Sequence, residues 1–382
     1  MRARGCHYDP SITTRRRAQQ REFVDTVVDR LRGGDRPLPA LDVASLRFAG
    51  LATGLTALAA HLTDDGDTAG VVDPTVRDWL AEQRTEVARR VDRFRELVPR
   101  VRSVLAEAAV PAVAVKGAEL AASARPVWGM AAARPMADID LVVPRRYRAQ
   151  ASAALLRAGL RHDTSSTYED VFLAWGDGTV GRTDGESAAH NGRVEVHPDW
   201  TEFLHGYVVR GFDVEAHWSA DPDLPGGFRL ALAPLTANVL GHLASTVVRA
   251  EVRAVNAVDL WWCDRAGVDW DEVSVLCRSL DPRLSAPGLW LASALLPGSV
   301  PGQLLASEFD RLPRAARWAL DAVAPEDVFR DPDTRTSPSW RQAFARGAER
   351  VAVFDQMAFP TGARGLRPLV SRLPSVAVRA RA

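Results

Sequence analysis

The chain has 382 residues, of which 47% are hydrophobic and 25% are charged, and its 48 basic and 48 acidic side chains cancel. This composition argues against a disordered protein, and the zero net charge counts mildly against long nucleic acid as a partner. No apolar run approaches the ~20 residues that span a bilayer, and the first residues lack the apolar core of a signal peptide. Three cysteines without paired spacing do not build a disulfide scaffold, so we expect a cytoplasmic protein.

The first region, residues 18–109, has a helical pattern. Its clearest part repeats apolar residues at intervals of three or four and predicts one long helix with a single apolar stripe. The stripe consists of Val87, Val91, Phe94, Val98, Val101 and Leu105. Pro99 is a predicted kink in this helix. Two segments rich in Gly, Pro and Asp, residues 33–37 and 64–67, are predicted loops between helices.

The pattern changes after Pro111. A short apolar run at 112–115, then Gly117 and the Ala-rich segment 118–122, predict a strand, a tight turn and the start of a helix. Lys116, at this turn, is the only lysine of the chain against 47 arginines, and its compact ammonium fits closely against a phosphate oxygen. The turn is therefore a candidate anion site, although many α/β proteins use such a glycine only for the turn.

The second element is a strand that begins with two aspartates. The two-residue period of a strand puts Asp138 and Asp140 on one face and Ile139 and Leu141 on the other. Two carboxylates roughly 7 Å apart repel each other unless a cation lies between them. A divalent metal such as Mg²⁺ is the usual cation, because it prefers hard oxygen ligands. The alternative is an edge strand whose acidic face simply meets solvent.

A third carboxylate favours the metal interpretation. Residues 193–197 alternate as a strand does, with Glu195 on the same face as Arg193 and His197. A neighbouring strand could bring Glu195 beside the aspartate pair and complete a two-metal site for phosphoryl or nucleotidyl transfer. Glu215 lies in a near-repeat of this segment and is the alternative. We favour Glu195, because the next predicted helix follows Glu215 too closely.

Three segments in this order resemble motifs of the nucleotidyltransferase superfamily that includes DNA polymerase beta. The resemblance is closest to its branch of uncharacterised bacterial nucleotidyltransferases. The matching segments are Val-Lys-Gly-Ala-Glu-Leu at 115–120, Arg-Pro-Met-Ala-Asp-Ile-Asp-Leu at 134–141 and Val-Glu-Val-His at 194–197. The similarity covers roughly residues 100–300. It departs from the wider superfamily at Ala118, which replaces the serine of a Gly-Ser turn.

The resemblance implies an α+β protein with a small mixed β-sheet. The expected regions are a helical N-terminal region at 1–109, a nucleotidyltransferase core at 110–220, a helical C-terminal region at 221–356 and an Arg- and Pro-containing tail at 357–382. The C-terminal region would shape the acceptor pocket.

The resemblance also implies a reaction. An NMP would pass from an NTP, with ATP as the default donor, to an acceptor hydroxyl, and pyrophosphate would leave. Asp138, Asp140 and Glu195 would hold two Mg²⁺ ions, with Mn²⁺ as a substitute. The residues expected at the nucleotide phosphates are Lys116, Gly117, Ala118 and Arg134. Arg134 has an alternative role as a partner of Asp138 or Asp140.

A different function class stays open, in which the same fold is a non-catalytic nucleotide-binding or regulatory partner protein. The acceptor is not readable from the sequence, but a small molecule or a peptide is favoured over long nucleic acid. A protein partner is possible, and no membrane is implied.

The remaining features have structural interpretations. We expect His197, His217 and His242 to be packed histidines, and the Trp261-Trp262 pair to pack in the core. Residues 163–192 are a predicted loop or hairpin. Predicted helices follow at 235–265, ended near Gly267, and at 271–279, 314–323 and 339–354.

Overall fold

The structure is a computed structural model of the chain. It describes residues 10–63, 73–122, 133–136, 138–166, 168–174, 192–204, 207–249, 252–321 and 324–329. The predicted loop at 64–67, the predicted helix at 339–354 and the predicted tail at 357–382 lie outside these residues. Within them, no helix has both the length and the apolar character needed to cross a membrane.

The N-terminal region is helical, as predicted. Its helices are α1 (Pro10–Leu31), α2 (Val43–Thr53), α3 (Thr56–Thr63) and α4 (Pro74–Glu107). The Asp73 side chain accepts a hydrogen bond from the Thr75 amide and caps α4, with Pro74 at its first position. The predicted apolar stripe of α4 is buried along its whole length, and the helix continues through Pro99.

A mixed five-stranded sheet follows, which confirms the predicted α+β class. The strands are β1 (Val113–Ala114), β2 (Asp138–Val143), β3 (Arg161–Ser165), β4 (Asp170–Leu173) and β5 (Arg193–Pro198), in the order β1-β2-β5-β4-β3. Strands β2 and β5 pair in parallel, and the other neighbours are antiparallel. Two helices, α5 (Lys116–Ala122) and α6 (Arg148–Arg157), connect this part, and α4 packs against both.

The structure describes part of the predicted loop or hairpin at 163–192. Asp163 lies inside β3, which forms an antiparallel pair with β4 across a short turn. Residues 175–191 lie outside the described part of the chain.

The C-terminal half begins with two small hairpins and continues with helices. The hairpins are β6 (Thr201–Leu204) with β7 (Tyr207–Arg210), and β8 (Trp218–Ala220) with β9 (Phe228–Leu230). The helices are α7 (Leu232–Arg249), α8 (Val255–Arg265), α9 (Trp270–Ser279), α10 (Ala286–Leu295), α11 (Gly302–Arg311) and α12 (Arg314–Asp321).

The single helical stretch predicted at 235–265 is two helices. The chain leaves α7 to form a parallel bridge between Val252 and Phe329, in which the Val252 amide donates to the carbonyl of Val328. Helix α8 ends as predicted before Gly267, which has a φ of +78°. Trp262 is fully buried, as predicted for a core residue.

Candidate active site

The parallel register of β2 and β5 brings the predicted acidic residues to one place. Asp140 lies beside Glu195 in the ladder, and Asp138 lies beside Arg193. The side chains that alternate with these residues form the opposite, apolar face of the sheet and are fully buried. They are Ile139, Leu141, Val194 and Val196. Burial of that face fixes which face carries the carboxylates, because a slip by one residue would turn every side chain over.

Three side chains on this face form a set that can hold a metal ion. Ligand atoms of Asp140, Glu195 and His197 all lie within 4.8 Å of one another. Two carboxylates and an imidazole suit a divalent transition metal such as Mn²⁺, and the carboxylates also suit Mg²⁺. Asp138 shares the face of Asp140 but is not a member of this set.

His197 belongs to the site, whereas the sequence suggested only a packed histidine. Its Nε2 lies 2.9 Å from Asp140 Oδ1 and 3.6 Å from Glu195 Oε2. The same nitrogen can donate a hydrogen bond to Asp140 when it carries the proton, or bind a metal when it does not. The available signal was its place two residues after Glu195, on the same face of a strand.

The carboxylates differ in their affinity for protons. Burial raises the pKa of Glu195 to about 8, with the negative charges of Asp140 and Asp138 acting in the same direction and Arg193 against it. Burial and Asp140 also raise the pKa of Asp138. For Asp140, burial is outweighed by Lys116 and His197, and its pKa is lowered. An added cation at this face would therefore favour the ionised forms of Asp138 and Glu195.

Lys116 lies within the acidic cluster. It opens α5 with a φ of +51°, and its Nζ is 3.0 Å from Asp140 Oδ1. Burial would lower the lysine pKa, but Asp140 and Glu202 outweigh it and raise the pKa, so the ammonium persists at neutral pH. The predicted neighbour Ala118 is buried, and its amide donates to the carbonyl of Val115 at 3.2 Å. That amide therefore forms part of the turn.

Arg134 has a partner that no sequence pattern indicated. Its Nε and Nη2 donate to the two carboxylate oxygens of Asp259 in α8, each at 2.6 Å. Both side chains are buried. A Cβ at Gly117 would come within 2.3 Å of Arg134 Nη1, so the glycine leaves room for this guanidinium. The predicted nucleotide-binding pair of Gly117 and Arg134 is thus in direct contact and anchored to the C-terminal region.

Glu202 is a fourth acidic residue near the site that the sequence analysis missed. It is 5% exposed, and it accepts hydrogen bonds from Ser245 Oγ at 2.9 Å and from Trp200 Nε1 at 3.3 Å. Its Oε2 also lies 3.7 Å from His242 Nδ1. Burial would raise the pKa of Glu202, but Lys116 and His242 lower it to about 2. Two of its partners, His242 and Ser245, come from α7, and no local pattern links them to Glu202.

The alternative third carboxylate, Glu215, has another environment. It lies in a short 3-10 helix at Val214–His217, and its carboxylate accepts two hydrogen bonds from the Arg146 guanidinium. It is not a member of the metal-ligand set, which contains Glu195.

A cavity of about 220 Å³ opens beside the aspartates. One wall belongs to the predicted core and includes Lys116, Asp138 and Asp140. The facing wall comes from α7, α8 and the segment between them, and consists of Val239, His242, Thr246, Arg253, Asn256 and Asp259. The cavity is therefore shared by the sheet and the C-terminal helices.

Comparison with known proteins identifies a family. A family model described as "Uncharacterised nucleotidyltransferase" matches residues 49–297, which is more than half of the chain. No curated protein and no solved structure matches.

Proposed function

The chain belongs to the uncharacterised nucleotidyltransferase family, and from this we propose that it transfers an NMP from an NTP, with ATP as the default donor, to an acceptor hydroxyl. The observation that supports the proposal best is the convergence of Asp140, Glu195 and His197 within 4.8 Å, in a set whose Asp140 also lines a cavity. Such a ligand set can hold the divalent metal that phosphoryl transfer needs. Pyrophosphate is the second product.

Asp138, Asp140 and Glu195 are the proposed metal ligands, with His197 as an added ligand or as a hydrogen-bond donor to Asp140. When bound, Mg²⁺ or Mn²⁺ supplies a Lewis acid that lowers the pKa of the acceptor hydroxyl and offsets phosphate charge. The protein contributes the orientation of the carboxylates, because both strands that carry them are fixed by a buried apolar face.

The proposed binding site for the nucleotide phosphates consists of Lys116, Gly117, Ala118 and Arg134. Lys116 and Arg134 are the cationic members, and both line the cavity. In the reaction, the acceptor oxygen loses its proton to solvent and forms a bond to the α-phosphorus, while the bond between the α-phosphorus and the oxygen that bridges it to the β-phosphorus breaks. The electron pair stays on pyrophosphate, where the neighbouring cations stabilise its charge.

The cavity gives one indication about the acceptor. Its facing wall carries polar groups such as His242 and Asn256, which suit a small polar molecule or one end of a peptide better than a duplex. A small molecule or a peptide is therefore the proposed acceptor class.

The test is a thermal melt with each NTP, with and without Mg²⁺, for wild type and Asp140→Asn. A ligand at 100 times its Kd adds ~2.7 kcal/mol, enough for a shift of several degrees. We expect a Mg²⁺-dependent shift in wild type that disappears in Asp140→Asn. Asp310→Asn, at an aspartate whose side chain is 83% exposed, is the matched control and should keep the shift.

Two outcomes would contradict the proposal. Absence of a shift with every NTP would remove nucleotide binding. A nucleotide-induced shift without pyrophosphate release from any pool of small-molecule or peptide acceptors would instead favour the non-catalytic, regulatory class.

A further inference from the structure

Lys116 is held in an unusual position beside the metal-ligand set. Its left-handed φ of +51° is one that residues other than glycine seldom adopt, and such conformations concentrate at functional sites. From there its Nζ lies 3.0 Å from Asp140 Oδ1. The same oxygen is 2.9 Å from His197 Nε2, so one carboxylate atom contacts both the ammonium and a member of the ligand set.

Glu202 gives this ammonium a second anionic neighbour. Glu202 is almost fully buried and is fixed by Ser245 and Trp200, while Asp140 comes from a different strand, β2. The Lys116 side chain is 18% exposed. The ammonium therefore contacts one carboxylate, Asp140, and is further stabilised by the negative charge of a second, Glu202, on a separate element.

The formal charges of the cluster leave room for one divalent ion. With a metal bound, which favours their ionised forms, the four carboxylates of Asp138, Asp140, Glu195 and Glu202 would carry four negative charges. Two fixed cations oppose them, since Lys116 contacts Asp140 and Arg193 lies 2.7 Å from Glu195. Two negative charges remain, and a single Mg²⁺ or Mn²⁺ balances them.

In a two-metal site, Asp138, Asp140 and Glu195 would together hold both ions. Here the Lys116 ammonium, itself a cation, already lies 3.0 Å from Oδ1 of Asp140. We propose that Lys116 is a built-in cation that takes the place of one metal, so that the site uses one divalent ion held by Asp140, Glu195 and His197. This inference rests on the proposed function. In this inference, the Lys116 ammonium supplies the positive charge beside the leaving pyrophosphate that a second metal ion would otherwise supply.

The test counts Mn²⁺ ions per chain from the EPR signal of free Mn²⁺, without nucleotide and with α,β-methylene ATP. This analogue has no cleavable bond at the position that nucleotidyl transfer breaks. Wild type should hold one Mn²⁺ in both conditions. Lys116→Met removes the ammonium but keeps an unbranched chain, and should double the count to two.

A double variant separates the effect of the position of the Lys116 ammonium from the effect of the net charge of the cluster. Lys116→Met with Glu202→Gln has the net charge of wild type, so a second Mn²⁺ in this protein must result from the vacated place on Asp140. Circular dichroism verifies folding, and Lys116→Gln replaces Lys116→Met if the latter unfolds.

Three results would overturn the inference: two ions in wild type, one ion in Lys116→Met, or a second ion in Lys116→Met that the double variant does not bind. Failure of the proposed function looks different. In that case the wild-type protein binds no Mn²⁺, or it binds Mn²⁺ but not the ATP analogue. In the second case, the number of Mn²⁺ ions bound without nucleotide still tests the role of Lys116.

Discussion

Position 117 is a glycine because the Arg134 guanidinium fills the space where a side chain would stand. The sequence predicts Gly117 for a tight turn at a candidate anion site, and its contact with Arg134 gives a second reason for the glycine. Gly117 leaves room for the arginine at the cavity wall, and Asp259 accepts two hydrogen bonds from its guanidinium.

Gly117→Ala should therefore destabilise the fold by about 1–3 kcal/mol, since the new methyl group must displace part of a buried ion pair. Urea denaturation measures the difference. Gly302→Ala is the matched control, because nothing lies within 4 Å of its Cβ position, and it should change stability by less than about 0.5 kcal/mol. Equal changes in unfolding free energy for the two substitutions would show that Arg134 can move aside without loss of stability.

Asp170 provides a pH test away from the site. It accepts hydrogen bonds from Arg148, Ser152 and Ser165, and these interactions, led by Arg148, outweigh burial and lower its pKa to about 2 from 3.8. A lowered folded-state pKa stabilises the protein fully above pH 3.8, and the contribution is lost as the pH falls through 2.

Asp170→Asn should lower the unfolding free energy by about 1–3 kcal/mol at pH 7, and the gap to wild type should narrow between pH 4 and pH 2. Urea midpoints across that range test the sign. Asp92→Asn, at an aspartate with a 67% exposed side chain, should stay close to wild type throughout. A gap that widens on acidification would contradict this account.

At the residue scale, the predictable part of the site was the part set by local spacing. Asp138 and Asp140 share a face because they are two residues apart on a strand, and the strand of Glu195 follows the same rule. Asp259 could not be predicted, because it meets Arg134 across 125 residues of chain. Glu202 was missed for the same reason, since Ser245 lies 43 residues away.

At the scale of elements, the Arg134–Asp259 pair connects the approach to β2 with helix α8. Neither side chain is more than 9% exposed, and the pair has two parallel contacts of 2.6 Å. A buried pair of this kind fixes the relative position of two elements, and the loss of one partner leaves an uncompensated charge.

Asp259→Leu should cost about 3–5 kcal/mol, because the Arg134 guanidinium stays buried without this partner. The double variant Arg134→Met with Asp259→Leu should recover most of that loss, since neither charge remains. Guanidinium denaturation of the wild type, both single variants and the double variant completes the cycle. Additive losses in the double variant would mean that the pair is not the linking interaction.

The elements themselves were largely predictable, and their breaks were not. The periods of the apolar residues predicted α4 and β5 because each of these elements buries one face. The apolar run at 141–143 predicted β2, which is buried in all but its first residue. The break between α7 and α8 escaped prediction, because it depends on the contact of Val252 with Phe329, 77 residues away in the chain.

At the scale of the whole molecule, one hydrophobic core connects the regions predicted as separate units. It runs from Phe23 in α1 through Leu141 in the sheet to Leu289 in α10. Helix α1 contacts α10 and the 3-10 helix at Pro325–Val328, so residues from both ends of the described chain pack together. The domain boundaries at 109 and 220 stay a prediction, and they do not interrupt this core.

A continuous core predicts that a change in α1 affects the site. Phe23 is fully buried, and Phe23→Ala should cost about 3–5 kcal/mol through lost apolar burial and a cavity. Because α1 and the rest of the core then unfold in one transition, far-UV circular dichroism and tryptophan fluorescence should give the same lowered unfolding midpoint. Leu156→Ala in α6, where the leucine is 49% exposed, is the control and should move neither probe appreciably. Tryptophan fluorescence reports, among others, Trp200 beside Glu202 and Trp262 in α8. If α1 melted first as a separate unit, the dichroism midpoint would fall while the fluorescence midpoint kept its wild-type value. That outcome would detach the N-terminal helices from the site, whereas coincident midpoints would make them part of the scaffold that holds the Asp140 cluster in place.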